Sequence, residues 1–253
     1  MIYTDFHSHI LPRMDDGAKD ADTSLGMLSA LASQGVKTVY ATPHFYADSE
    51  SVEAFLERRE RCYNELMSAM EGRTDLPEVR LGAEIMICKQ LLNLDLSEMV
   101  FEGAPIMLFE YPVNKFEEWF SSYTERISAR YNAIPMMAHF DRYDWINAKT
   151  AKRFNTDKAK TYFQMNCEGL KDKKMLKLLL DMYESGVRCV FGTDCHNLTS
   201  RKPDFDELNA LLDKGSIKLG PLGLHTVPTR YIANALAHSE EVIFSGSQFN
   251  GLL

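Results

Sequence analysis

Residues 2–17 read Ile-Tyr-Thr-Asp-Phe-His-Ser-His-Ile-Leu-Pro-Arg-Met-Asp-Asp-Gly. The apolar and β-branched run Ile2–Phe6 predicts a strand. Side chains on a strand alternate faces, so His7 and His9 leave its end in the same direction. Two imidazoles aimed at one point, with the carboxylate of Asp16 seven residues later, are the beginning of a metal site. The chain has 7 histidines in 253 residues, so two this close need an explanation that a hydrophobic core does not supply.

Outward from this stretch, short β-branched or apolar segments recur, each followed by a helical pattern. Strands are expected at Ile2–Phe6, Thr38–Ala41, Val79–Ala83, Ile106–Phe109, Ile134–Ala138, Tyr162–Met165 and Arg188–Phe191. Helices are expected at Asp22–Ser33, Val52–Met70, Phe116–Tyr131 and Met175–Ser185, with Gly35, Gly72 and Gly186 where C-caps fall. Phe205–Leu212 and Thr229–Ala237 extend the helical pattern. Strands alternating with helices pair in parallel, in an open sheet or a closed barrel, so the fold class is α/β. No linker, low-complexity tract or repeat divides the chain, and residues 1–253 read as one domain.

The bulk composition sets limits on function. Lys and Arg number 28 against 36 Asp and Glu, a net charge of −8, and no long basic block appears. That argues against nucleic-acid binding. No run approaches the ~18 apolar residues of a membrane helix. The start has no basic and apolar leader pattern, so a cytoplasmic protein is expected. The five scattered cysteines (Cys62, Cys88, Cys167, Cys189, Cys195) then read as reduced thiols.

The residues just past each expected strand carry the chemistry. The first strand gives His7 and His9, the second His44, the third Glu84, the fourth Glu110, the fifth His139, and the seventh Asp194 and His196. Only the sixth, ending near Asn166, adds no obvious ligand. In an α/β barrel all C-terminal strand ends meet at one face, where active sites are built. With Asp16 from the first loop, five His, two Asp and two Glu converge there. Nine ligands exceed what one ion takes, and mixed imidazole and carboxylate donors suit Mn, Fe or Zn. A cluster of two or three divalent ions suits hydrolysis of a phosphate ester.

Asp5-Phe6-His7-Ser8-His9-Ile10-Leu11-Pro12 with Asp15-Asp16-Gly17-Ala18-Lys19 resembles the start of the polymerase-and-histidinol-phosphatase (PHP) superfamily. More closely it is similar to the bacterial protein-tyrosine phosphatases that regulate capsule and exopolysaccharide synthesis. Ala41-Thr42-Pro43-His44, Gly82-Ala83-Glu84, Phe109-Glu110-Tyr111, Ala138-His139 through Arg142-Tyr143, and Thr193-Asp194-Cys195-His196-Asn197 continue the match in order, to about Arg201. The resemblance implies a distorted seven-stranded TIM-like barrel of PHP type with three divalent ions, typically Mn, with Fe, Zn or Mg as alternatives. It assigns His7, His9, Glu84 and Asp194 to one ion. Glu84, Glu110 and His139 go to the second, and Asp16, His44 and His196 to the third. Arg142 and Arg201 match phosphate-binding arginines, and a guanidinium fork suits two phosphate oxygens. The protein substrate implied is the phosphotyrosine tail of a bacterial tyrosine kinase of polysaccharide export. Arg13 and Phe140-Asp141 depart from the usual pattern at the rim without removing a ligand.

A second signal competes with this one. Cys195-His-Asn-Leu-Thr-Ser-Arg201 fits C-x5-R, the minimal pattern of cysteine-dependent tyrosine phosphatases. The loop lacks interior glycines, and alternation turns Cys195 away from Asp194 and His196. No nucleophilic cysteine is therefore assigned, and hydroxide bridging the ions is the expected nucleophile. Cys167 and Cys189 read as core, and His225 and His238 as makers of local hydrogen bonds. Phe45 and Tyr143 are candidates to stack on a phosphotyrosine ring, and no general acid is identifiable. Two other functions fit the scaffold: hydrolysis of histidinol phosphate or another small phosphoester, and a non-catalytic regulator that binds a kinase. Oligomeric state has no sequence signal.

Overall fold

The computed structural model describes residues 3–155, 160–213, 216–219 and 225–228. The strands are β1 (Tyr3–Ser8), β2 (Val36–Ala41), β3 (His44–Phe45), β4 (Glu78–Leu81), β5 (Glu84–Met86), β6 (Ile106–Glu110), β7 (Ile134–Met137), β8 (Tyr162–Asn166), β9 (Arg188–Gly192), β10 (Ser216–Leu219) and β11 (His225–Pro228). The helices are α1 (Ala21–Ser33), α2 (Val52–Ala69), α3 (Trp119–Arg130), α4 (Ala148–Ala151), α5 (Lys173–Glu184) and α6 (Phe205–Asp213). The helix expected at Thr229–Ala237 and His238 lie outside the described residues.

Seven parallel staves form where the sequence predicts them, and two are broken. β2 runs on as β3 after Thr42-Pro43, and β4 runs on as β5 after Gly82-Ala83. Pro43 has no N–H to give to a ladder, which interrupts the pairing there. The breaks divide the barrel wall into the sheets β1-β2-β4 and β3-β5-β6-β7-β8-β9. Bonds across the breaks keep the wall continuous: Gly82 N–H donates to Ala41 O and Glu84 N–H to Pro43 O. The wall closes where β1 meets the end of β9. Ser8 bridges Cys195 in parallel, Asp194 N–H donates to His7 O at 2.6 Å, and His9 N–H donates to Cys195 O at 2.9 Å. Buried Asp5 braces this closure by accepting from both the N–H and the hydroxyl of Thr193.

Helix ends follow local chemistry. Asp20, Ser51 and Asp172 cap α1, α2 and α5 by accepting from Thr23, Ala54 and Lys174 N–H groups. Gly35, at φ 95°, takes the left-handed turn that ends α1. α3 starts three residues later than its pattern predicts, because Phe116 lies ahead of it against Phe120 and Trp145.

The strands are buried on both faces, as parallel strands require. Outside the wall, Val39, Ile85, Phe109, Met137, Phe163 and Phe191 pack with Leu28, Leu31, Phe55, Ile127 and Leu179 of the helices. Inside it, Phe6, Tyr40, Ile106, Leu108, Met136, Tyr162 and Val190 fill the barrel with an apolar plug. The period of two then turns each inward row polar toward the C-terminal ends. Ile106 and Leu108 lead to Glu110, Tyr162 leads to Gln164 and Asn166, and Val190 leads through Gly192 to Asp194.

Asp204, just ahead of α6, is 8% exposed, and its Oδ1 has no hydrogen-bond partner. Burial, with the charges of Asp5 and Glu168 nearby, pushes its carboxyl up to about 8. An acid whose folded pKa is raised favours the protonated native state. Its contribution is complete below the unfolded value near 3.8 and is lost as pH rises through about 8. Asp204→Asn should therefore flatten the pH dependence of the urea midpoint between pH 5 and 8.5, by up to about 1 kcal/mol per pH unit. A variant with the wild-type slope would refute this origin.

Candidate metal centre

The nine strand-end residues meet at one barrel mouth. His7, His9, Glu84, His139, Asp194 and His196 are each at most 2% exposed, while Asp16 lies at the open rim. His7 Nε2 lies 3.2 Å from Glu84 Oε2 and 3.5 Å from Asp194 Oδ1; His9 Nε2 lies 3.3 and 3.2 Å from the same atoms. His44 Nδ1 is 2.9 Å from Glu84 Oε2 and 3.7 Å from Glu110 Oε2. His139 Nε2 is 2.9 Å from Glu84 Oε1 and 3.6 Å from Glu110 Oε1. Asp16 Oδ1 lies 3.4 Å from His44 Nε2 and 3.3 Å from His196 Nε2.

Two residues reach this cluster through strained turns. His139 has φ 25° and Asp194 φ 51°, a region that non-glycine residues seldom adopt and that concentrates at functional sites. The turn at Asp194 sends its carboxylate inward and leaves Cys195 on the other side, in the apolar layer and fully buried.

The electrostatics follow from crowding buried charges. Burial opposes ionisation of Glu84, yet the charge of His7, the hydrogen bond with His139 and the close approach of His44 hold its carboxyl well below the usual range. Asp194 is likewise held low against burial, by His7 first and then His9. Burial lowers His139, and Glu110 and Glu84 outweigh it, lifting the imidazole to about 10. His196 goes the other way, to about 4, through burial and the neighbouring charge of His9.

Whether metal ions suit these residues is decided by the atoms left over. Buried polar groups in folded proteins are almost always hydrogen-bonded. Here His44 Nδ1, Glu84 Oε2, Glu110 Oε2, His139 Nδ1, Asp194 Oδ1 and His196 Nε2 are buried with no hydrogen-bond partner. All but His139 Nδ1, the ring nitrogen opposite the cluster-facing Nε2, lie at ion-pair range of other cluster atoms without the angles of a hydrogen bond, as electron pairs aimed at common points would. Three sets hold ligand atoms within 4.8 Å of one another: His9, Asp16, His44 and His196; His7, His9 and Asp194; and His44, Glu84 and Glu110. The donor set fits several divalent cations sharing ligands. Compared with the expected grouping, His9 stands close to the Asp16 set as well, and His44 lies within reach of Glu84 and Glu110.

Arg142 and Arg201 stand at the rim and both pair with Asp194 Oδ2, Arg201 through Nη2 at 2.7 Å. Arg201 Nη1 also lies 3.6 Å from Asp16. The two guanidinium groups share the lining of a cavity of about 60 Å³ with Thr193, Asp194, Lys171 and Asp204.

A profile described as "Capsular polysaccharide synthesis, CpsB/CapC" matches residues 3–219. The chain belongs to the CpsB/CapC family. Among its relatives, tyrosine-protein phosphatase YwqE of Bacillus subtilis is 26% identical over 222 residues, covering 83% of this chain and 84% of YwqE. Tyrosine-protein phosphatase CpsB of Streptococcus pneumoniae is 28% identical over 231 residues, covering 83% and 89%. A solved structure from work on YwqE and CpsB, described as unique metal-dependent tyrosine phosphatases, superposes with a TM-score of 0.68 at 25% identity, covering 84% of this chain and 87% of that one. The distorted TIM-like barrel of PHP type expected from the sequence is the fold of this CpsB/CapC chain.

Several participants escape the sequence pattern. Asp15 Oδ2 lies 2.7 Å from His9 Nδ1 and accepts from His44 N–H at 3.1 Å, so it orients two cluster histidines from behind. Its adjacency to Asp16 was the available signal. Gln164 and Asn166 supply neutral contacts from the sixth stave. Phe45 is fully buried against Phe55, and Tyr143 spends its hydroxyl on Tyr111 N–H and its ring face on Trp145. Neither can stack on a ligand. The half-buried ring beside the mouth is Tyr46, stacked on His44 with centroids 5.3 Å apart.

Burial pushes the Cys195 thiol well above its ordinary range, whereas a nucleophilic cysteine needs it lowered. Alkylation of the native protein followed by peptide mass spectrometry should leave Cys195 unmodified while half-exposed Cys88 reacts. Rapid native labelling of Cys195 would contradict this placement.

Proposed function

We propose that this protein is a metal-dependent protein-tyrosine phosphatase. The observation that carries the reading is the set of five buried, unpartnered ligand atoms (His44 Nδ1, Glu84 Oε2, Glu110 Oε2, Asp194 Oδ1 and His196 Nε2) beneath two rim arginines. Its relatives' names support it. His7, His9, Glu84 and Asp194 would hold one ion; Glu84, Glu110 and His139 a second; Asp16, His44 and His196 a third. Divalent ions bound there supply Lewis acidity and a water acidified enough to attack phosphorus. The resemblance in sequence favours manganese, a cytoplasmic location, a single barrel domain over residues 1–253, and the tyrosine-rich tail of a bacterial kinase as protein substrate.

The remaining work falls to the chain's own residues. Arg142 and Arg201 bind the non-bridging phosphoryl oxygens, exchanging part of their contact with Asp194 Oδ2 for the substrate. Glu84 and Asp194, held ionised, keep the mouth anionic behind the phosphoryl group, so the arginines and bound cations decide its position. Tyr46 offers a ring face at the mouth to an aromatic leaving group. A phenol of pKa ~10 departs without a strong general acid, so an aryl phosphate asks less of the site than an alkyl ester would.

A phosphosubstrate panel with and without Mn2+ tests the reading. Phosphotyrosine peptides should be hydrolysed, with activity abolished by a chelator and restored by Mn2+. A large preference for histidinol phosphate in kcat/KM would overturn the substrate, and a purified protein unable to take up divalent metal would overturn the mechanism. Arg201→Ala should lower kcat/KM by roughly 10- to 100-fold, the loss of one charge-assisted contact.

A further inference from the structure

The sixth stave, β8, offers the cluster no ligand, yet it touches two of them. Gln164 is fully buried and Asn166 is 2% exposed, and both lie on the inward row above Tyr162. The backbone N–H of His139 points at Gln164 Oε1, 2.7 Å away. A backbone N–H can only donate, so the atom facing it is the amide oxygen, and the Gln164 side chain cannot be reversed. His7 Nδ1 lies 2.9 Å from the same oxygen. An oxygen only accepts, so Nδ1 carries the proton, and the lone pair of a neutral His7 resides on Nε2, the atom that faces Glu84 and Asp194.

The polarity continues along the strand. Gln164 Nε2 donates to Asn166 Oδ1 at 2.9 Å, which turns the Asn166 amide nitrogen toward Asp194 Oδ2, 3.5 Å away. That oxygen also takes Arg142 and Arg201. Oδ2 is thus occupied by nitrogen donors, and Oδ1 alone, without a hydrogen-bond partner, faces His7 and His9. Gly192 makes room for the chain. A Cβ there would stand 3.0 Å from both Gln164 Nε2 and His7 Cβ.

We infer that Gln164, with Asn166 as its relay, is a positioning residue that fixes which atom of His7 and of Asp194 faces the metal. A single backbone donor, His139 N–H, sets the direction of the whole chain. The inference rests on the metal-centre reading above. It differs in kind from the Asp15–His9 contact, because a neutral amide fixes the tautomer without adding a charge to an already anionic mouth.

The test uses full-length protein loaded with diamagnetic Zn2+, with ring ¹⁵N NMR of the histidines and metal affinity measured by competition with a chelating indicator. Wild type should show His7 protonated at Nδ1, with slow proton exchange. Gln164→Met removes the acceptor and should lose that slowly exchanging proton and weaken Zn2+ and Mn2+ binding by roughly 10- to 100-fold. Gln164→Glu keeps an acceptor oxygen and should retain the His7 signature. A folded Gln164→Met with wild-type signature and affinity overturns the inference while leaving the metal centre standing. Should Gln164→Met fail to fold, loss of the signature in folded Gln164→Glu overturns it. Wild-type protein that takes up neither ion overturns the metal reading and this inference with it.

Discussion

Ionised carboxylates cannot be buried without positive charge or donors around them, since desolvating each costs several kcal/mol. Glu84 and Asp194 are each 1% exposed, set directly above an apolar plug that offers them nothing. Much of the surrounding architecture answers that demand. Five imidazoles surround the pair, two guanidinium groups cover one oxygen of Asp194, and the chain bends into left-handed turns at His139 and Asp194 to reach it. The breaks in the second and third staves serve the same end. By ending the ladder at Thr42-Pro43 and Gly82-Ala83, they let His44 and Glu84 resume pairing side by side at the mouth.

Much of this was legible in the sequence because it is written in periods. Alternation located the staves, and the ends of six of the seven supplied eight of the nine residues that the structure brings together, with Asp16 coming from the first loop. Alternation also separated Cys195 from Asp194 and His196, against the C-x5-R spacing. What stayed hidden has a physical explanation in each case. The strand breaks depend on which N–H groups lose partners, which a hydrophobic pattern does not record. Gln164 and Asn166 are neutral amides, common on any strand, and their importance comes from an atom-by-atom direction that only three-dimensional contact defines. Phe45 and Tyr143 sit beside cluster residues in sequence, but their rings point into packing, while Tyr46 shares the face of His44 two positions earlier.

The rim is more mixed in charge than a plain phosphate pocket. Arg142, Arg201 and Lys171 share the small cavity with Glu168, Asp194 and Asp204. Lys202 also lines it, but Lys171 is drawn to Glu207 of α6 at 3.1 Å, whereas the two arginines reach Asp194 of the cluster itself. An anion entering there meets guanidinium groups already held in place, so little side-chain entropy remains to be lost on binding.

The seam between β1 and the end of β9 joins the opening residues of the chain to residues almost two hundred positions later. His7 and His9 are synthesised long before Asp194 and His196. Through nearly the whole of synthesis the nascent chain therefore carries an incomplete donor set, its early imidazoles exposed and separated from their carboxylates. The full cluster exists only once the last stave has docked.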